Sequence, residues 1–462
     1  MPTGIRDEYY KFFNKNGVKY PAAGNLSKPT IGRLSPGCRT CIEGTWSCIF
    51  INSVCTKHCF YCPAPQNDRN KQPVVPENLS FASAQDYIEY LKKFDFKGIA
   101  FSGGEPLLAL DTLLEYMNEV KQCFGDTHYI WAYTNGDLVT GQNLSLLKKA
   151  GLNELRFDII ANNYDLTVVE KAVEYIDTVS VEIPAIPEDM DNLKSILKEL
   201  EKIGVKYLNL HQLMKTEHNS ENLNQRGYSL VNEKLYPDQT PIMESELAAL
   251  EILKHALEMK SDLGIQYCSR CYKARFQGMA HRKRAALFCK DKKPDLTKTG
   301  YLRKVAINAS TEEAAFIKSH VHETEWELTV EGESSKLVFP LHYFNVLLTE
   351  NYHQAEVIYY EPHLAPTNNK TTVEESTEMV GGNNICFHKK EKIRTTLDNI
   401  TSAFLFYKLF IEKINIELVK KELLNVYGSN DDSVGKILHD IKEFNDRFQE
   451  VEYLPPDLEP YD

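Results

Sequence analysis

Short apolar runs alternate with amphipathic stretches between residues 48 and 268. The runs typical of β-strands occupy residues 48–52, 97–101, 128–133, 155–160, 178–183 and 206–212. Between them, apolar residues recur at helical spacing, as at Leu113, Met117 and Val120. Six strands alternating with helices predict a parallel sheet with right-handed crossovers, and residues 265–268 predict a further edge strand. The pattern leaves open whether the sheet curls into a partial barrel or stays an open layer.

The rhythm changes near residue 300. Residues 326–339 alternate apolar and polar side chains around Gly332, which predicts a β-hairpin, and residues 355–362 predict another strand. Helical patterns follow toward the C-terminus. We therefore predict three segments: an N-terminal cysteine-containing extension (1–47), a core with a following cysteine-containing segment (48–300), and a separate α+β domain (301–462).

Composition narrows the class of protein. The chain has 462 residues, 42% hydrophobic and 26% charged, which is typical of a globular protein with two or three domains. The sequence shows no long apolar run for a membrane span and no secretory signal, so we expect a cytoplasmic protein with reduced thiols. The net charge of −12 makes nucleic acid an unlikely partner.

Three cysteines are clustered in the segment CTKHCFYC, directly after the first predicted strand. Cys55, Cys59 and Cys62 would then lie on a loop at the carboxyl end of that strand, where barrel active sites are built. Three thiolates at this spacing can hold three irons of a [4Fe–4S] cluster and leave the fourth open to a small chelating molecule. The alternative is a zinc site, but zinc prefers four closed ligands and His58 is poorly spaced to be the fourth.

A glycine-rich segment, GGEP, follows the second predicted strand. It contains Gly103, Gly104, Glu105 and Pro106. Glycines allow a ligand to approach the backbone, and carbonyls at a strand end can accept hydrogen bonds from an ammonium group. Taken alone, the segment is also consistent with an ordinary tight connection from strand to helix.

Together, the cysteine triplet, with Tyr61 before its last cysteine, and the GGEP segment resemble the radical S-adenosylmethionine (SAM) superfamily. The resemblance implies that SAM chelates the open iron and that residues 103–106 hold its amino group. It implies that one electron cleaves SAM to methionine and a 5′-deoxyadenosyl radical, which takes hydrogen from the substrate. It also implies a reductant such as flavodoxin or ferredoxin, and an α/β fold whose core is a partial (βα)6 barrel.

Four polar residues on later strands are further candidates for SAM contacts. Thr134 and Asn135 end the third strand, where they could face the SAM sulfonium or ribose or could instead form a capping turn. Arg156 and Asp158 alternate with apolar neighbours and therefore share one face of the fourth strand. We interpret them as contacts for the SAM carboxylate and ribose, or as a structural ion pair.

Two longer segments, residues 36–63 and YCSRCYKARFQ (267–277), resemble a little-characterised group related to the pyruvate formate-lyase activating enzyme. The resemblance covers about residues 38–290 and gives a mechanism but no substrate. It suggests a glycyl-radical partner, whereas the large C-terminal domain favours a peptide or protein substrate more generally. The alternatives are a radical SAM enzyme that modifies RNA and a non-catalytic, zinc-binding, cysteine-rich scaffold.

A second cysteine group, Cys38, Cys41 and Cys48, precedes the triplet. In a regular strand, Cys48 and Cys55 would be about 23 Å apart, so they would not share a cluster. We predict that this group binds a second metal, with iron–sulfur favoured over zinc, although it could also be a set of structural thiols.

A third group, Cys268, Cys271 and Cys289, follows the last predicted strand. We interpret it as the ligands of an auxiliary iron–sulfur cluster, a hydrogen-donating thiol, or three unrelated thiols. The second and third groups could share one site if the N-terminal segment packs near residue 270. The intervening segment KARFQGMAHRKR would grip an anionic substrate or form a solvated helix face.

Overall fold

The structure is a computed structural model, and it describes most of the chain. The described residues are 2–65, 72–289, 295–322, 326–331, 334–341, 343–344, 355–366, 376–397, 400–427, 441, 445, 447–455, 457–458 and 461.

A mostly parallel sheet forms the centre of the N-terminal part. Its strands are β1 (Thr30–Ile31), β2 (Trp46–Asn52), β3 (Gly98–Gly103), β4 (Tyr129–Thr134), β5 (Glu154–Phe157), β6 (Thr178–Pro184) and β7 (Tyr207–His211), together with β10 (Gly264–Cys268). Their order is β1-β10-β7-β6-β5-β4-β3-β2, and only β1 runs antiparallel to its neighbour in this sheet. The predicted α/β class and partial barrel are confirmed, and the described edge strands β1 and β2 are not paired with each other.

The six predicted strands and the additional one at 265–268 are present with small shifts of their ends. However, β10 is not the edge strand, because Thr30 and Ile31 pair with Gln266 and Ile265 on its outer side. The N-terminal segment therefore completes this sheet. Two short strands, β8 (Met214–Lys215) and β9 (Thr240–Pro241), form a separate antiparallel pair.

Helices accompany this sheet, and several of them cross over from one parallel strand to the next. They are α1 (Pro2–Lys15), α2 (Pro36–Glu43), α3 (Ala84–Lys93), α4 (Leu110–Phe124), α5 (Gly141–Lys149), α6 (Thr167–Val173), α7 (Met190–Ile203), α8 (Ser220–Asn224), α9 (Met243–Glu258), α10 (Arg270–Tyr272) and α11 (Gly278–Ala286). The helical spacing in the sequence corresponds to their buried faces, as at Leu113, Met117 and Val120 of α4. Because successive strands are parallel, their carboxyl ends meet at one edge of the sheet, and the loops that follow them lie together.

A second, antiparallel sheet follows in the chain. It consists of β11 (Leu302–Ala309), β12 (Glu327–Glu331), β13 (Ser334–Pro340), β14 (Ala355–Pro366), β15 (Ser376–Val380) and β16 (Asn383–Leu397), in the order β12-β13-β11-β14-β16-β15. The helices α12 (Thr311–His320), α13 (Ile400–Phe406) and α14 (Ile416–Tyr427) accompany it. The predicted hairpin is the antiparallel pair of β12 and β13. Its core includes Val305, Phe339 and Phe406.

The chain divides into two compact units. The first comprises residues 1–278, 379–384 and 456–462, and the second comprises residues 279–378 and 385–455. Residues 1–47 belong to the first unit and residues 279–300 to the second, and the three predicted segments stay a prediction. Within the described residues, no helix combines the length and the apolar character needed to cross a membrane.

Candidate active site

The cysteine triplet lies on the loop that leaves β2, at the carboxyl edge of the parallel sheet. Cys55, Cys59 and Cys62 all line a cavity of about 570 Å³. The Cys55 thiol accepts hydrogen bonds from the backbone N–H of Lys57 (3.5 Å) and from the Asn135 amide (3.4 Å). Burial raises the pKa of the Cys55 thiol, and it raises the pKa of Cys59 to about 11. The loop thus presents three thiols to one cavity.

This donor set fits a [4Fe–4S] cluster better than a single metal ion. Among the described residues, no three His, Cys, Asp or Glu side chains converge so that they could hold one ion. A cluster does not need such convergence, because each cysteine binds a different iron. Three thiols on one cavity wall, with N–H donors directed at a sulfur, match the requirements of the cluster.

Gly103 and Gly104 allow the end of β3 to approach the cysteine loop closely. A Cβ atom at Gly103 would lie 2.4 Å from the Asn52 carbonyl oxygen, and one at Gly104 would lie 2.1 Å from the Val54 carbonyl oxygen. Gly103 also has a φ of 144°, which favours glycine. The backbone N–H of Gly104 donates to Asn52 O (3.1 Å), and that of Glu105 donates to Val54 O (2.7 Å). Both glycines also line the cavity.

Glu105 joins the ends of β3 and β4 from a fully buried position. Its carboxylate accepts hydrogen bonds from the Thr134 hydroxyl (2.9 Å), the Asn135 N–H (2.8 Å) and the Leu107 N–H (3.1 Å). Burial raises the pKa of Glu105, and these three donors oppose that effect. Glu105 and Pro106 are not on the cavity wall, whereas Thr134 and Asn135 are. Glu105 therefore acts on the cavity through Asn135.

Tyr61 and Asp158 are hydrogen-bonded to each other on the cavity wall. The Tyr61 hydroxyl donates to an Asp158 carboxylate oxygen at 2.8 Å, and the Ile160 N–H donates to the other oxygen at 3.1 Å. Burial raises the pKa of Asp158 to about 6, against the effect of these donors. Both residues line the cavity, so Asp158 presents a fixed carboxylate to it.

Arg156 lines the cavity as well, but its guanidinium is held by the protein. Its Nε lies 2.9 Å from Glu154, and another nitrogen lies 2.7 Å from Glu182. The remaining nitrogen donates to the Ser35 hydroxyl at 3.1 Å and lies 3.6 Å from the Cys38 sulfur. All its N–H groups therefore have acceptors within the protein, which favours the structural ion pair over a SAM carboxylate contact.

Three residues that were not among the predicted SAM contacts complete the far wall, and Glu182 and His211 were not singled out by the sequence analysis. Glu182 on β6, His211 at the end of β7 and Lys273 after β10 all line the same cavity. His211 lies 2.9 Å from the Glu182 carboxylate. Burial opposes the ionisation of Glu182, but Arg156 and His211 outweigh this effect and lower its pKa. The signal in the sequence is a single acidic residue inside the apolar strand TVSVEIP, where a buried charge needs a partner.

The structure regroups the remaining cysteines. Cys38 accepts a hydrogen bond from the Gln266 amide, and Cys268 accepts one from the Lys28 ammonium, both at 2.6 Å. Lys28 is fully buried, and the charges of Cys268, Cys38 and Cys41 outweigh burial and raise its pKa. Cys268 of the third group therefore contacts a buried lysine whose pKa is also raised by Cys38 and Cys41 of the second group.

The metal-binding roles predicted for Cys48 and Cys289 stay predictions. Cys48 is within β2, where burial raises its pKa to about 12. Cys289 belongs to the second unit, whereas Cys268 and Cys271 belong to the first, so the predicted trio does not fall within one unit. All eleven cysteines are reduced in the structure.

Comparisons with known proteins agree with this geometry. Residues 49–200 match the family model described as the Radical SAM superfamily. The chain is 32% identical over 257 residues to "Putative glycyl-radical enzyme activating enzyme MJ0021" of Methanocaldococcus jannaschii, covering 53% of this chain and 66% of that protein. It is 26% identical over 172 residues to "Probable GTP 3′,8-cyclase" of Methanococcus aeolicus, covering 34% and 56%. The chain thus spans just under two thirds of the length of the first curated relative and just over half of the length of the second.

Similar solved structures include Streptococcus suis SuiB bound to S-adenosylmethionine and coproporphyrinogen III oxidase (HemN) from Escherichia coli. The first has a TM-score of 0.37 at 8% identity and covers 52% of this chain and 56% of SuiB. The second has a TM-score of 0.30 at 12% identity and covers 51% of this chain and 58% of HemN.

Proposed function

Because the chain belongs to the radical SAM superfamily, whose cofactors are a [4Fe–4S] cluster and SAM, we propose that it takes a hydrogen atom from a peptide or protein substrate. The observation that carries this proposal is the meeting of the cysteine triplet, the two glycines and Asn135 on one cavity wall. When bound and reduced, the cluster supplies the electron that splits SAM into methionine and a 5′-deoxyadenosyl radical, the species that abstracts the hydrogen.

Cys55, Cys59 and Cys62 are the proposed ligands of three irons. The two N–H donors on the Cys55 sulfur stabilise its thiolate and orient it toward the cluster. Asn135 is held in turn by Glu105, which makes Glu105 a positioning residue. Gly103 and Gly104 keep the loop close to β3, so that ligands and SAM share one site.

Asp158 is the proposed contact for the SAM ribose. Its oxygens accept from Tyr61 and from the backbone N–H groups of Ile160 and Ala161, which fixes the carboxylate but leaves acceptor capacity for a hydroxyl group. Thr134 and Asn135 add polar groups to the same wall. We do not assign the SAM carboxylate to Arg156, because its donors are occupied.

The name of the similar Methanocaldococcus protein supports a protein substrate, since a glycyl-radical enzyme is itself a protein. Each turnover needs one electron, which a flavodoxin or ferredoxin would supply. We place this chemistry in the cytoplasm, where thiols stay reduced.

The test uses protein purified without air and incubated with SAM and dithionite. We expect a brown protein that forms 5′-deoxyadenosine, measured by chromatography. Replacing the triplet, as C55A/C59A/C62A, should abolish the product, whereas C123A, at an exposed cysteine on α4, should retain it. A colourless protein that binds zinc, or product formed by the triple variant, would contradict the proposal.

A second iron–sulfur centre remains part of the proposal, with changed ligands. Cys38 and Cys41 are joined by Cys268 near Lys28, and Cys271 follows Cys268 by three residues. Two C-x2-C pairs from distant parts of the chain thus belong to the same unit. The Lys28 ammonium would offset the negative charge of thiolates bound to metal.

A further inference from the structure

The cavity wall formed by the later strands lies at the other end of the sheet from the cysteine loop. In the strand order, β10, β7 and β6 lie at the opposite end from β2, which leads into the triplet. Lys273 follows β10 and begins a single π-helical turn, Lys273–Gln277. Its side chain lines the cavity together with Glu182 and His211. A cation thus faces the cavity from the end of the sheet opposite the triplet.

Lys273 is distinguished from the other basic residues of the cavity by its lack of partners. Lys57 pairs with Asp137 at 2.9 Å, Arg156 pairs with two glutamates, and His211 lies 2.9 Å from Glu182. The Lys273 ammonium makes no hydrogen bond and no ion pair with any residue that the structure describes. Its three donors are therefore available to a molecule in the cavity.

Glu182 is the acidic group of this wall, and it already pairs with two basic residues. It accepts from Arg156 at 2.7 Å, from His211 at 2.9 Å and from the Asn209 amide at 2.8 Å. An ammonium that lines a cavity without a hydrogen-bonded acceptor favours an anionic ligand, which would supply that acceptor.

The rest of the basic segment does not compete for this role. Arg275 donates to the backbone carbonyl of Asp457, and Arg282 donates to the carbonyl of Thr299. Among the basic residues of the segment KARFQGMAHRKR, only Lys273 lines the cavity. The anionic contact that the sequence suggested for the whole segment is thus reduced to one side chain.

We propose that Lys273 binds a carboxylate of the substrate, so that the substrate is a peptide or protein with an acidic side chain or a C-terminal carboxylate near the reacting position. This inference rests on the proposed function, because it assumes that the substrate enters the cavity beside SAM. The SAM molecule also carries a carboxylate, and the test separates these two sources.

The first test is chemical labelling of lysines in the anaerobic holoenzyme, with glutarate as the carboxylate probe and glutaramide as its uncharged control. Brief acylation is followed by mass spectrometry at Lys273 and at Lys57, whose ammonium is already paired. With SAM present, glutarate should slow acylation of Lys273 at least about threefold once its concentration is about twice its Kd or higher. Glutaramide should have no effect, and Lys57 should be unchanged.

Two results would overturn the inference. Protection of Lys273 by SAM alone, with no addition by glutarate, would assign the lysine to the SAM carboxylate. No protection by either compound would show that Lys273 does not bind a carboxylate. The formation of 5′-deoxyadenosine is measured in the same sample, so the proposed function can hold while this inference fails.

The second test measures glutarate binding by calorimetry in three variants of the SAM-bound holoenzyme. K273M should weaken binding at least about tenfold, whereas K273R keeps the charge and should stay within about threefold. K194M is the matched control, because Lys194 on α7 is paired with Glu251 outside the cavity. Equal binding by K273M and wild type would contradict the inference. If K273M fails to fold, the labelling of the wild-type protein still decides.

Discussion

At the residue scale, the candidate site depends on buried polar groups whose partners are fully specified. Glu105 accepts three hydrogen bonds in a position without solvent contact. The Arg156 guanidinium pairs with two carboxylates and also donates a hydrogen bond to a hydroxyl group. Such groups are costly to leave without partners, so each one fixes the geometry of the chain around it.

The exchange of Glu105 for glutamine tests its role as a positioning residue. E105Q puts an NH₂ group where a carboxylate oxygen accepts hydrogen bonds, so at least one buried donor loses its acceptor. We expect a loss of about 1–3 kcal/mol in stability, seen as a lower thermal midpoint. The iron content should also fall, because Asn135 would no longer be fixed beside Cys55.

The control for this exchange is E115Q, at an exposed position on α4, which should leave both quantities unchanged. An E105Q variant with normal iron content would show that Asn135 is held in other ways.

Asp158 gives a prediction about pH. Its pKa is raised from 3.8 unfolded to about 6 folded, so keeping it ionised in the folded protein costs about 3 kcal/mol above pH 6. D158N removes that pH-dependent cost, but it leaves the Ile160 N–H opposite an NH₂ group, which destabilises the variant at every pH. We therefore expect the thermal midpoint of the variant relative to that of wild type to fall as the pH drops from 7 to 4, because folded wild-type Asp158 then binds a proton that the unfolded chain does not.

The measurement compares the two holoproteins by thermal unfolding across this range, with D111N at an exposed site on α4 as the control. A difference between D158N and wild type that does not vary with pH would contradict the assignment.

At the element scale, the site exists because the end of β3 fits against the loop that leaves β2. Two hydrogen bonds and two glycines produce this contact. The sequence predicted Gly103 and Gly104 as a place for a ligand to approach the backbone. The structure adds a second reason, since the loop that carries the triplet needs the same space.

G104A tests this contact. The added Cβ would lie 2.1 Å from the Val54 carbonyl oxygen, so the cysteine loop must move. We expect at least about tenfold less 5′-deoxyadenosine, because small displacements in an active site have effects of this size or larger. The absorbance of the cluster near 400 nm should also decrease.

G4A is the matched exchange, since nothing lies within 4 Å of its new Cβ and its φ is not positive. Wild-type activity in G104A would show that the loop tolerates the displacement.

At the scale of the whole molecule, the distribution of cysteines allows more than one metal centre. The triplet is on the cavity wall, whereas Cys268 contacts Lys28, whose pKa is also raised by Cys38 and Cys41. The two groups share no residue. Iron bound at one group should therefore persist when the other is removed.

Iron and sulfide counts under anaerobic conditions test this separation. We expect about eight irons per wild-type chain if each group holds one [4Fe–4S] cluster. The variant C55A/C59A/C62A should keep about half of them and make no 5′-deoxyadenosine. A second variant, C38A/C41A, should lose the other half and retain some SAM cleavage. If the triple variant bound no iron, the protein would hold only one cluster.

Much of the fold and part of the site could be predicted from local patterns. The strands were predicted within a few residues, because alternation with helices is visible over short windows of sequence. The partial barrel itself came from the resemblance, since periodicity does not distinguish it from an open sheet. The role of β1 as the edge strand was missed, because two residues give no periodic signal.

The sequence by itself determined the ligands and motifs that are local: the spacing of Cys55, Cys59 and Cys62, and the GGEP segment after the next strand. Only the tertiary structure decided that Arg156 is occupied by carboxylates, that Cys38 lies beside Gln266, and that Lys273 faces the cavity. The physical reason is the separation along the chain. The contact between Cys38 and Gln266 spans 228 residues, and such pairings depend on how the strands are ordered in the sheet.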